Sequence, residues 1–122
     1  MTEEKHESMI ITQKMYDLIR YVYICLGEFP KSEKHTMAAD IKNSMHNILK
    51  MLIAASKKYH KKTTLRDIDI ELQYLKTMFR LASELTSKAN GSPFLSFNKY
   101  KNISEKIAEL GRILGGWIKK SN

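Results

Sequence analysis

The chain has 122 residues, enough for one domain and too few for two, and its 21 lysines and arginines against 13 aspartates and glutamates leave a formal net charge of +8. A single cysteine, Cys25, excludes an intramolecular disulfide, and no apolar run reaches the roughly 20 residues of a membrane-spanning helix. The charge excess points to polyanions (nucleic acid first, an acidic protein surface second, an anionic membrane third), and the lack of a leading basic-then-apolar segment makes a cytoplasmic protein the expectation.

One domain over residues 1–122 is expected, with flexible ends at about 1–8 and 121–122. The first predicted helix runs from about Met9 to Leu26, with Ile11, Met15, Leu18, Val22 and Leu26 at three- and four-residue spacing. Gly27 and Pro30 stop it. A second begins near Ser32 to Thr36 and carries Met37, Ile41, Met45, Ile48, Leu52 and Ala55 on one face. The basic turn "KKYHKKTT", Lys57 to Thr64, closes this helix with positive charge where the dipole favours it. Thr64 followed by Asp67 predicts the N-cap of a third helix, whose apolar face is Leu65, Ile68, Leu72, Leu75, Phe79, Ala82 and Leu85. "SKANGSPFLSF", Ser87 to Phe97, reads as the longest loop. A fourth helix from about Asn98 carries Tyr100, Ile103, Ile107, Leu110, Leu114 and Trp117. Four amphipathic helices on short connections predict an all-α antiparallel bundle.

The end of the fourth helix is unusual. Gly111, Gly115 and Gly116 surround the only tryptophan, and each glycine in a helix interior costs about 1 kcal/mol relative to alanine. Apolar periodicity through Leu114, Trp117 and Ile118 favours a continuing helix over a left-handed cap at Gly115-Gly116. Gly111 and Gly115 then share a face that admits another backbone closely, making them candidate oligomer contacts with Trp117 as anchor.

Chemistry of the catalytic kind is not indicated. His6, His35, His46 and His60 have no zinc-like spacing with one another or with Cys25. Asp67, Asp69 and Glu71 read as acids in the first turns of a helix rather than a metal site. No phosphate loop or nucleophile–base pattern appears, so neither cofactor, metal nor catalytic residue is expected. Met15, Met37 and Met45 fall on core stripes, while Met78 could face core or partner.

The basic stripes carry the binding argument. Arg66, Gln73, Lys76 and Arg80 share one face of the third helix, and Lys42, His46, Lys50 and Lys57 recur on the second. Arg80 in "MFRLA" and Arg112 in "LGRIL" sit among apolar neighbours, where a planar guanidinium suits phosphate or carboxylate. Glu109, three residues before Arg112, offers that arginine a simple pairing instead. The candidate nucleic-acid or partner contacts are Arg80, Arg112, Lys76, Arg66, Lys50 and Lys57.

"ELGRILGGWIKK" at 109–120 resembles the terminal signature of the accessory variability determinant proteins of diversity-generating retroelements. "FPKSEKHTMAADI" at 29–41 and "LQYLKTMFRLASEL" at 72–85 resemble that family's second-helix start and third helix. The resemblance implies a four-helix bundle assembling into a basic, cyclic homopentamer. It implies a non-catalytic accessory role, in which the protein binds the element's reverse transcriptase and template RNA and supports mutagenic retrohoming. Arg80, Arg112 and Trp117 match the family's basic and signature positions; elsewhere this chain is lysine-rich. The alternative is a relative encoded in intervening sequences of 23S ribosomal RNA genes, with the same bundle, binding RNA without a reverse transcriptase. A purely structural oligomer is a third reading.

Overall fold

The computed structural model describes residues 2–121, which form four helices packed antiparallel: α1 Thr2–Leu26, α2 Met37–Lys57, α3 Lys62–Glu84 and α4 Phe97–Lys120. Each helix packs on two neighbours, in the order α1, α2, α3, α4 and back to α1, so the helices stand at the corners of a square. The expected apolar faces all point inward. Met15, Leu18, Ile41, Met45, Leu75, Phe79, Ile103 and Leu114 are among the buried core. Met78 is partly buried and packs against that core.

Helix starts depart from expectation where long-range polar contacts decide them. α1 begins at Thr2 rather than Met9. Its polar opening turns show no apolar rhythm, yet Ser8 is buried and Glu4 and Glu7 bond to other helices. Of the ends expected to be flexible, Met1 and Asn122 lie outside the described residues. Thr64 is not the cap of α3: the helix starts at Lys62, its N-cap residue is Lys61, and no side chain caps it. Thr64 Oγ1 instead accepts a bond from Lys58 Nζ at 2.9 Å. The acids at 67, 69 and 71 therefore lie beyond the first turn, which contains none. Glu71 bridges to α2, accepting from Ser44 Oγ at 2.7 Å and Asn47 Nδ2 at 3.2 Å.

The connections follow the turn residues. After Leu26, Gly27, Phe29 and Pro30 lead into a single 3-10 turn at Lys31–Glu33. Between α3 and α4, Thr86 and Pro93 form an antiparallel bridge, and Gly91 takes φ +72, a conformation that strains any side chain. Leu95, just beyond it, is buried, and Leu85 is 40% exposed because the helix has ended before it. Ser96 caps α4, accepting from the Lys99 amide. α4 continues through Gly115 and Gly116 to Lys120, as the apolar periodicity predicts.

Candidate nucleic-acid interface

Antiparallel packing brings the start of α1, the end of α2, the start of α3 and the end of α4 to one pole. There Glu4 gathers three partners. It accepts from the Trp117 indole Nε1 at 3.0 Å, lies 3.1 Å from Ser121 Oγ, and pairs with Lys61 Nζ at 3.4 Å. Trp117 is fully buried, so this bond satisfies an indole N–H that water cannot reach. Burial raises the Glu4 carboxyl, but the Trp117 and Ser121 bonds and the Lys61 charge outweigh it, leaving the group below its ordinary value. Lys61 Nζ also stands 5.8 Å from the Trp117 ring centre. Beside this lock, Lys120 pairs with Glu7 at 3.3 Å.

Outside the lock the pole is dominated by cations. Lys57, Lys58 and Lys119 are exposed there, beside Lys5 and Lys62. In their midst Tyr59 is 77% exposed, its ring set edge-on to His60 with centres 4.7 Å apart. An exposed aromatic among lysines can stack on an unpaired base while the ammonium groups hold adjacent phosphates. The α3 N-terminus lacks an acidic first turn, so its positive dipole end adds to this field rather than being neutralised.

The predicted basic residues do not converge on this pole. Lys57 belongs to it, and Arg66 lies one turn into α3 from it. Arg80 is 14 positions further along α3, about 21 Å away along the axis. Arg80 is exposed and pairs with Glu84 at 3.2 Å, so its apolar sequence neighbours do not enclose it. Lys50 and Lys76 are exposed on separate helices. Arg112 is exposed, and Glu109 pairs with Lys14 of α1 at 3.2 Å rather than with it. Lys42 and His46 serve the α1–α2 seam: Lys42 stands 4.8 Å over the Tyr23 ring, and His46 shares a 2.8 Å hydrogen bond with the Tyr23 hydroxyl.

Against known families, the match covers residues 9–121, nearly all of this bundle. The chain belongs to the bAvd-like family. These are bacterial accessory variability determinants of diversity-generating retroelements, known as non-catalytic accessory proteins. No curated protein sequence matches the chain. Among the described residues, no helix is long and apolar enough to cross a membrane.

The signature of this bAvd-like chain divides in the structure. Trp117 lies inside its own subunit's core and presents no surface to a neighbour. Gly116 lets Glu7 come close, since a Cβ there would stand 3.2 Å from Glu7 Oε2. At Gly111 and Gly115 a Cβ would meet nothing within 4 Å, so packing within the subunit does not require either glycine. Sequence reasoning missed Glu4 and Tyr59. Glu4 left no periodic signal, whereas an aromatic inside a run of lysines was a usable sign, overshadowed by the helix-ending role of that run.

Proposed function

We propose that this protein is an accessory subunit of a diversity-generating retroelement, binding the element's reverse transcriptase and template RNA as a basic homopentamer. Membership of the bAvd-like family over residues 9–121 carries the reading. The cationic pole around Tyr59 supports it, because it supplies phosphate attraction and a stacking platform together. The protein does no bond chemistry in this reading; it concentrates and orients RNA beside the polymerase. A ring would repeat the pole around one axis, so that several subunits hold one RNA. It would also gather Arg66, Lys76, Arg80 and Arg112, which are spread out within one subunit, into recurring sets.

Binding of labelled single-stranded RNA, titrated at several salt concentrations, tests this. Each neutralised phosphate releases counterions, so log affinity should fall against log salt with a slope of about −0.7 per phosphate contact. Tyr59→Ala should weaken binding by about 5- to 150-fold, the equivalent of about 1–3 kcal/mol of stacking, with unchanged melting. Capture of the reverse transcriptase encoded beside the gene completes the test. RNA affinity that ignores salt would overturn the nucleic-acid role. RNA binding without any reverse-transcriptase capture would favour the ribosomal intervening-sequence reading.

A further inference from the structure

Two exposed apolar faces on this chain are used by nothing within the subunit. Between α1 and α2 runs an open groove of about 810 Å³, lined by Met9, Tyr16, Leu49 and Ile53 and flanked by Lys5 and Lys57. Met9 is 64% exposed and Ile53 48%. On the neighbouring side, α3 presents Ile70, 69% exposed, and Tyr74 one turn on. Around them stand Asp67 on α3, Glu71, and Asp40 from α2, the last two lining one shallow hollow with Tyr74. The groove is thus apolar with a basic margin, and the second face is apolar with an acidic one.

We propose that the α1–α2 groove receives the Ile70–Tyr74 face of a second copy of this chain, head to tail. Asp67, Glu71 and Asp40 come against Lys5 and Lys57, and Ile70 enters beside Ile53. The inference deepens the reading of the protein as a ring, and rests on it. Its physical basis is complementarity of charge between two different patches, which is what a heterologous contact requires. The placement of the faces suits closure. They share helix α2, and adjacent sides of a square bundle lie about 90° apart. Rings of four or five subunits need about 90–108° between their two contact faces. Gly111 and Gly115 lie on the α3 flank of α4, away from the groove, and opposite faces would stack into an open filament rather than close.

The test is the mass of the full chain in light scattering, without RNA or reverse transcriptase. Ile53→Glu places a carboxylate against the acidic face, and Ile70→Lys places an ammonium in the basic groove. Each variant alone should run as a monomer with parent helix content and melting behaviour of a folded subunit, since both positions are exposed. Mixing the two should restore assembly, at least to a one-to-one pair, because one intact groove then meets one intact face. A monomeric parent would overturn both the ring reading and this contact. An oligomeric parent whose mass survives both substitutions would overturn the contact alone. So would monomeric variants that fail to assemble on mixing, or an Ile53→Glu variant that keeps its mass and loses only reverse-transcriptase capture.

Discussion

Replacing Glu4 by alanine removes the only hydrogen-bond acceptor shown for the buried Trp117 indole. A buried donor left without a partner costs about 1–3 kcal/mol. Ser121 keeps a partner, because its hydroxyl also lies 2.7 Å from the Trp117 carbonyl, and Lys61 can turn to water. The expected loss is therefore about 2 kcal/mol, set by the indole alone. For a chain of this length about 1 kcal/mol moves the melting temperature by about 4 °C, so Glu4→Ala should melt about 8 °C lower. Glu4→Gln retains a carbonyl acceptor and loses only the charge facing Lys61, so its drop should be less than half as large. Melting is to be followed at fixed protein concentration, because assembly makes the midpoint concentration-dependent. Trp117 is the single tryptophan, and its emission should shift to the red in the alanine variant as the pole loosens. A Glu4→Ala midpoint within about 2 °C of the parent, with unmoved emission, would refute the claim that this bond fastens α1 to α4.

The same carboxylate predicts a pH effect. Its folded value lies below the ordinary 4.5, so its stabilisation is fully present above that pH and fades as the pH falls through the lower value. Acid titration of parent and Glu4→Gln should show the variant losing less stability below pH 4.5. Gly111→Ala and Gly115→Ala should each raise the subunit's stability by about 1 kcal/mol, because each new methyl meets open space; calorimetry checks the gain, and a loss of mass would instead assign the glycines to an assembly contact. Arg80→Ala removes one exposed pair with Glu84, worth about 0.3–0.5 kcal/mol, so RNA or reverse-transcriptase binding should fall with melting unchanged. Parallel loss of binding and melting would make Arg80 architectural. Burial raises the Cys25 thiol above its ordinary value, so alkylating reagents should label it only after unfolding, as mass spectrometry can follow.

Apolar spacing by itself determined the helices, their inward faces and their antiparallel order. A 3.6-residue period leaves Met15, Ile41, Leu75 and Leu114 no stable place but a shared core. It also determined that α4 runs through its glycines, because Trp117 and Ile118 keep the phase that Leu110 and Leu114 set. The opening turns of α1 were beyond it, since Glu4 earns its place through partners more than a hundred residues away and through no local rhythm. The start of α3 was misread for the same reason: local capping chemistry favoured Thr64, whereas the pairing of Lys61 with Glu4 belongs to the assembled pole. The signature Gly-Gly-Trp was visible as a pattern, but its division was not. Only tertiary packing turned Trp117 inward and Gly116 toward Glu7, and left Gly111 and Gly115 facing open space. The charge excess was likewise plain in composition, while its concentration around Tyr59 depended on which helix ends the bundle gathers at one pole. Composition counts charges, and only the fold decides which of them are neighbours.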